Sequence, residues 1–165
     1  MNALNFLKHK SEVIFVYEDF SMKRAMDEFR DSGYTALPIL ARDGRYVGSI
    51  TEGDFLRFLL RYDLIDMGET EQIEVRELPR KSDNLPIMVD ARMEDLMHTA
   101  AQQNFVPMVD GRGIFMGIVT RRDILNYFCG RLRGAGEDEA PAEMEKSRLA
   151  GKSWKIACRT GPNVI

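Results

Sequence analysis

The sequence is poor in cysteine, histidine and tryptophan, and it has no long apolar run. Its two cysteines, Cys129 and Cys158, stand far apart and supply neither a disulfide framework nor a metal-ligand pair. A reducing, cytoplasmic compartment is the expectation. His9 and His98 are isolated, so no metal site is expected where ligands must cluster. No stretch reaches the roughly 20 apolar residues of a membrane span. The opening MNALNFLKHKSE lacks the basic region and apolar core of a signal peptide. Positive charge is not in surplus: 23 Lys and Arg against 26 Asp and Glu leave a net charge of −3. That removes the global field expected of a nucleic-acid binder. There is no G-x-S-x-G, no Walker loop and no Cys placed with His, and His and carboxylates are too scattered for a dyad, so no enzyme is expected.

What remains is ordinary globular composition, 44% hydrophobic and 30% charged over 165 residues, enough for one domain or two small fused repeats. The informative feature is an echo. GSITEGD at Gly48–Asp54 returns as GIVTRRD at Gly117–Asp123. Each copy is a β-branched run ending at a Thr, with an Asp three residues on and an apolar helical pattern behind it. A strand running straight into a helix is predicted twice.

The rest of the chain follows suit. Residues 1–12 read as a short helix or lead-in with Leu4, Phe6 and Leu7 inward, and Val13–Tyr17 as a buried strand. Asp19 or Ser21 can cap a helix whose inner face is Met22, Ala25, Met26 and Phe29, stopped by Gly33. Tyr34–Leu40 reads as a strand in which Pro38, unable to donate to a ladder, belongs at an edge or a strand start. Arg42–Arg45 is a hairpin turn, Tyr46–Ile50 the return strand, and Thr51 opens a helix to about Tyr62. Glu74–Leu78 is a short helical lead-in stopped by Pro79, and Pro86–Val89 the next strand. Met93, Leu96, Met97 and Ala100 then repeat Met22, Ala25, Met26 and Phe29 at an offset of 71 residues. Beyond the helix the offset is 69: Pro107 answers Pro38, Gly117 answers Gly48, Thr120 answers Thr51 and Asp123 answers Asp54. A loop absorbs the two-residue difference. This is an internal duplication. The expected division is 1–62 for the first repeat, 63–82 for a linker and lead-in, 83–133 for the second repeat, and 134–165 for a flexible or marginally helical tail that carries Trp154. The ten Met residues read mostly as core filler.

LPIL-x-x-x-G-x-x-x-G-S-I-T-x-x-D and VPMVD-x-x-G-x-x-x-G-I-V-T-x-x-D resemble a tandem pair of cystathionine-β-synthase-type (CBS) domains, a Bateman module, over about residues 1–133. The resemblance implies an α/β (α+β) fold of two β-α-β-β-α repeats related by pseudo-two-fold symmetry. It implies a regulatory module of the stand-alone type, sensing an adenine nucleotide of the AMP, ATP or cyclic di-AMP class in clefts between the repeats. It further implies a homodimer, an unidentified protein target, and no required cofactor beyond the regulatory nucleotide.

The residues suit that chemistry. A nucleotide needs an apolar slot, acceptors for ribose hydroxyls and donors for phosphate. Asp54 and Asp123 supply acceptors. Thr51 and Thr120 supply a hydroxyl beside helix N–H groups. Arg121 and Arg122 add forked donors. The resemblance points to Phe15, Ile87, Thr35, Ala36, Phe105 and Val106 for the base slot. Lys23 and Lys81 are long enough to reach phosphate, as surface lysines commonly are. Glu52 and Gly53 replace the Arg pair in the first copy, so the Thr120/Asp123 cleft is the expected better anion site. Thr-x-x-Asp at a helix start is also nearly a capping box, which accounts for both motifs with no ligand. The Arg pair would then be solvated charge or a partner for the acidic tail, contributing little. A purely structural dimerisation module with empty clefts is the competing reading.

Overall fold

The computed structural model describes residues 3–63 and 68–133; the tail with Trp154 and Cys158 lies outside the described residues. The chain divides into Met1–Cys129, which holds both sheets, and Gly130–Ile165, of which only the end of a helix is described. Seven strands and four helices follow one another as β1 (Lys8–His9), β2 (Val16–Tyr17), α1 (Met22–Ser32), β3 (Ala36–Leu40), β4 (Tyr46–Thr51), α2 (Glu52–Tyr62), β5 (Ile87–Met88), α3 (Met93–Gln102), β6 (Phe105–Val109), β7 (Phe115–Thr120) and α4 (Arg121–Arg133).

The helix ends have local causes. Ser21 is the N-cap of α1, its hydroxyl accepting from the Arg24 N–H at 3.2 Å. Gly33 ends the helix at φ 70°, a left-handed position that costs a glycine little, and its N–H bonds the Phe29 carbonyl at 2.9 Å. Met22, Ala25 and Phe29 are buried, as their spacing predicts.

The strands form two sheets, β2-β3-β4 and β1-β7-β6-β5. β3 and β4 are antiparallel with a register shift between Ile39 and Leu40; β6 and β7 are antiparallel with a shift between Met108 and Val109, the same place in the repeat. The two hairpin turns clasp each other. The Tyr46 N–H donates to the Gly113 carbonyl at 3.1 Å, and the Phe115 N–H donates to the Gly44 carbonyl at 2.9 Å. Arg45 pairs with Ile114 between them. Arg45 faces Ile114, its own counterpart at an offset of 69, and the two flanking bonds are exchanged by the same operation, so the pseudo-two-fold axis passes through that pair. Gly44 and Gly113 hold φ of 90° and 79°, which other residues adopt only with strain. Tyr46 and Phe115 stack across the axis with centroids 6.1 Å apart.

The lead-in segments change places. Ala3 and Phe6 pack into the core beneath the second sheet, with Leu96, Ala100, Val106, Met108, Val119 and Ile124, and β1 joins that sheet at β7. Val75 and Leu78 pack into the first core, with Val16, Met22, Leu37, Ile39 and Ile50. Backbone bonds from Val75 N–H to the Phe20 carbonyl and from Met22 N–H to the Ile73 carbonyl fix that segment. Each fully buried side chain of this kind contributes about 1.5–3 kcal/mol, so each half depends on a segment that precedes the other.

Four expectations are corrected. Leu4 is exposed, because Ala3 and Phe6 take the inner face of a one-turn 3₁₀ segment. The strand expected over Val13–Tyr17 is only Val16–Tyr17, and Ile14 is exposed. Pro38 sits inside the middle strand of its sheet rather than at an edge or strand start. It is tolerated because β2 pairs only with Ile39 and Leu40, so the ladder on that side stops short of it. Met97 and Met88 are exposed instead of filling the core.

The two echoed glycines are places of close approach. A Cβ on Gly117 would lie 2.0 Å from the Lys8 carbonyl oxygen on β1, and one on Gly48 would lie 2.4 Å from the Asp83 carboxylate. Gly117→Ala is therefore expected to lower the urea midpoint by the equivalent of about 3 kcal/mol. Gly130→Ala, in a helix with nothing within 4 Å of the added carbon, should raise it slightly.

Candidate functional site

Thr120 is the last residue of β7 and Arg121 the first of α4. The Asp123 N–H donates to Thr120 Oγ1 at 3.1 Å, and the Thr120 hydroxyl donates to Asp123 Oδ2 at 2.6 Å. Lys8 Nζ lies 3.7 Å from the same oxygen, brought there by the exchanged lead-in. Asp123 Oδ1 has no hydrogen-bond partner among the described residues, and the side chain is 15% exposed. Arg122, next along the helix, is exposed and makes no ion pair among the described residues. The result is one fixed carboxylate with an oxygen to spare and an ammonium beside it, with an exposed arginine as its neighbour in sequence. It can accept hydroxyls and attract phosphate in one place.

The first copy is closed. Thr51 and Asp54 form a complete capping box: the Asp54 N–H bonds Thr51 Oγ1, and Asp54 Oδ2 accepts from the Thr51 N–H at 2.9 Å and from the Thr51 hydroxyl at 2.7 Å. Oδ1 accepts from Arg57 Nη2 at 2.5 Å and from the Lys81 N–H at 3.1 Å. Both oxygens are fully engaged, and the side chain is 1% exposed. Asp54 was expected to accept ribose hydroxyls; with four bonds and no free lone pair, it does not present itself for that role. Position 126, the counterpart of Arg57, is Asn, which explains why Asp123 keeps an oxygen free. Burial alone would push the Asp54 carboxyl up. The hydrogen bonds from Thr51, Lys81 and Arg57 outweigh burial and hold it below its ordinary 3.8.

Arg121 was expected to face phosphate, but its guanidinium is turned away. Nε donates to the Ala100 carbonyl at 2.8 Å and Nη2 to the Ala101 carbonyl at 3.3 Å. Those are last-turn carbonyls of α3, which the extended chain after Gln102 supplies with no further helical N–H. Val106 has its side chain fully buried in the second core, so it supports the site from behind. Phe105 is opposite Thr120 in the ladder, and its carbonyl accepts from Asn84 Nδ2 and Gln103 Nε2. Ile87, on β5, packs against the same core. Thr35 is exposed just before β3, and Ala36 is opposite Thr51. Phe15 makes ring contacts with Tyr17 and Phe115.

Lys8 and the polar network behind β4 were missed. The Ser49 N–H bonds Asp83 Oδ1, the Asn84 N–H bonds Ser49 Oγ, and the Tyr46 hydroxyl bonds the Asn84 carbonyl at 2.7 Å. Burial pushes the Tyr46 phenol well above its ordinary value. A signal was available: Lys10-Ser11-Glu12 returns as Lys81-Ser82-Asp83 at the offset of 71, marking both lead-ins as part of the repeat.

The model of the CBS domain family matches residues 8–61 and again residues 75–130. The chain belongs to the CBS domain family. Its tandem CBS fold is that of a CBS domain protein from Streptococcus pneumoniae TIGR4, at a TM-score of 0.72 and 23% identity, over 78% of this chain and 87% of that one. CbpB of Listeria monocytogenes, solved in complex with cyclic di-AMP, aligns at 0.69 and 22% identity over 79% and 96% of the two chains. CBSX2, solved in complex with AMP, aligns at 0.63 and 19% identity over 78% and 96%. The uncharacterized protein MJ1426 of Methanocaldococcus jannaschii is 24% identical over 140 residues, 68% of this chain and 83% of that protein. Among the described residues of this CBS pair no helix is long and apolar enough to cross a membrane, and no three His, Cys, Asp or Glu side chains converge as metal ligands.

The closed carboxylate makes a prediction about acid. A carboxyl depressed in the folded state stabilises it above the unfolded-state pKa and loses that effect as pH falls through the folded value. Asp54→Asn should cost about 2 kcal/mol at pH 7, and the gap between variant and parent should narrow below about pH 4. Urea midpoints at pH 7 and pH 3 measure it; a gap that widened in acid would reject the assignment.

Proposed function

We propose that the chain is a regulatory module, not a catalyst, that binds an adenine nucleotide of the AMP, ATP or cyclic di-AMP class at Thr120 and Asp123 and signals the occupancy to a partner protein. The single observation that carries this is the free Asp123 oxygen beside Lys8. In the proposed site Asp123 accepts ribose hydroxyls, while Lys8 and Arg122 face the phosphate. Membership in the CBS family supports it, as do fold relatives solved with cyclic di-AMP and with AMP. No cofactor is required in this reading. The repeats are taken as about 1–62 and 83–133, joined by 63–82. A nucleotide held between them shifts the population toward one arrangement of the halves, which requires different affinity for the two arrangements.

The second reading, a structural dimerisation module, also has an observation in its favour. Asp54 is closed, and α2 carries outward-facing Leu56, Leu60 and Tyr62, with Leu60 72% exposed. Beside them a groove of about 320 Å³ is lined by Met26, Phe29, Phe55, Leu56 and Leu59 together with the charged Arg30 and Glu52. An apolar helix face of this kind fits a homodimer contact, and the two readings are compatible.

Calorimetry and thermal shift with AMP, ATP, cyclic di-AMP and their guanine analogues separate the readings. Ligand at about 100 times its Kd should stabilise the parent by about 2.7 kcal/mol. Asp123→Ala should weaken adenine-nucleotide binding at least about tenfold, the loss of one charged hydrogen-bond acceptor, whereas Asp54→Ala should chiefly lower stability. A larger affinity loss from Asp54→Ala would reverse the site assignment, and no response to any nucleotide would leave the dimerisation reading. Leu60→Glu should shift the mass measured by light scattering from dimer to monomer.

A further inference from the structure

The linker between the repeats is fastened differently from its counterpart. Lys8 and His9 pair with Ile118 and Gly117 as β1, on the outer side of β7. At the offset of 71 their counterparts are Pro79 and Arg80. A proline brings no N–H to a ladder, and the first sheet ends at β4. Side chains cover that edge instead. Asp83 Oδ1 accepts from the Ser49 N–H at 2.9 Å, and Ser49 Oγ accepts from the Asn84 N–H at 2.9 Å. The Lys81 N–H reaches Asp54 Oδ1 at 3.1 Å. Among the described residues no backbone-to-backbone hydrogen bond holds residues 79–86. Every one of these ties runs through a side chain, so the segment can be released while both sheets stay intact.

Asn84 faces both repeats. Its N–H and carbonyl are held by β4, the carbonyl accepting from the Tyr46 hydroxyl at 2.7 Å. Its side chain crosses to β6, where Nδ2 donates to the Phe105 carbonyl at 2.8 Å. Phe105 stands opposite Thr120, and the neighbouring Asn104 carbonyl accepts from the Arg121 N–H at 3.0 Å. Ser49 is two residues before Thr51 on the same strand. Asn84 thus joins the strand that ends in one Thr-x-x-Asp junction to the strand opposite the other. Gln103 secures the next residue, accepting from the Leu85 N–H and donating to its carbonyl, each at 2.9 Å. The counterpart of Asn84 is Val13, which has no side-chain donor, so the bridge has no mirror image.

We propose that Asn84 is a positioning residue for the Thr120/Asp123 cleft, and that through it residues 79–85 act as a strap coupling that cleft to the Thr51/Asp54 junction. Fastened on β4, the strap holds the Phe105 carbonyl and with it the β6–β7 register at Thr120. Released, it leaves Gln103 Nε2, at 2.9 Å, as the side-chain donor to that carbonyl, and the junction loosens. The coupling belongs to the protein itself, while its effect on ligand affinity rests on Asp123 being the nucleotide site.

Amide hydrogen exchange by NMR on the nucleotide-free full chain tests the strap, with the Ala25 N–H of α1 as reference for global opening. Asp83→Ala unfastens the strap at β4, and Asn84→Ala removes the side chain that crosses to β6. Asp83 is exposed and Asn84 half-buried, so both variants should fold. Each should speed exchange at the Arg121 N–H at least about fivefold relative to Ala25, the lower end of coupling between sites. The double variant should be no faster than Asn84→Ala, because the relay is already cut. Calorimetry with AMP and cyclic di-AMP then reads the cleft. Both single variants should weaken whichever probe the parent binds by a similar factor of at least about five, and saturating probe should slow exchange at the Lys81 N–H, as reciprocity requires. A parent that binds neither probe would reject the nucleotide site, and the exchange result would still decide the strap. An Arg121 rate unchanged in either single variant, or rates that multiply in the double variant, would overturn the coupling.

Discussion

Two backbone hydrogen bonds hold the architecture in register: Tyr46 to Gly113, and Phe115 to Gly44. Each hairpin turn presents its carbonyl to the strand that leaves the other turn. The arrangement closes only if both turns have the same shape, which is why a positive-φ glycine stands at the same place in each. The ring stacking of Tyr46 on Phe115 lies directly beside the clasp. With residue 45 opposite residue 114, the sequence offset of 69 becomes a spatial symmetry operation. Whatever one half presents at a given register, the other presents its counterpart.

Within that symmetric frame the two Thr-x-x-Asp motifs have diverged. Both cap a helix, and both use Thr to orient Asp. One has Arg57 a turn further on and the Lys81 N–H overhead, so its carboxylate is consumed by the fold. The other has Asn126 and a lysine side chain, and retains an oxygen with no partner among the described residues. The capping and ligand-binding readings of this motif are therefore not rivals in general. Whether the carboxylate is consumed by the fold or keeps an oxygen free is decided by residues outside the motif, three positions along the helix and in the lead-in of the other repeat.

The duplication, the helix faces and the strand-to-helix junctions were legible because they are local. Periodicity identifies an inner face, and Ser21, Gly33 and Thr51 mark ends by their own chemistry. Glu52 and Gly53 against Arg121 and Arg122 already distinguish the two copies in sequence, while the difference in the partners of Asp54 and Asp123 has another physical basis. Arg121 serves the end of α3, a helix whose carbonyls are distant in sequence and near only in space. Lys8 was missed for the same reason: the echo of Lys10-Ser11-Glu12 in Lys81-Ser82-Asp83 marks the lead-in as part of the repeat but does not announce that β1 crosses to β7. Pro38 misled because the rule about proline in sheets assumes a neighbour along the whole strand, and β2 is two residues long. Val13–Tyr17 misled because an apolar run of five does not state how much of itself is paired.

The exchange of lead-ins constrains how such a chain can be taken apart. Ala3 and Phe6 complete the core that lies at the far end of the gene, while Val75 and Leu78 complete the near one. A half-gene cut anywhere between Tyr62 and Ile73 would encode a polypeptide holding the wrong stopper, with its own core open and a plug for an absent sibling. A single copy standing alone would have to borrow its stopper from a second copy of itself, and the tandem chain turns that bimolecular handshake into an intramolecular one.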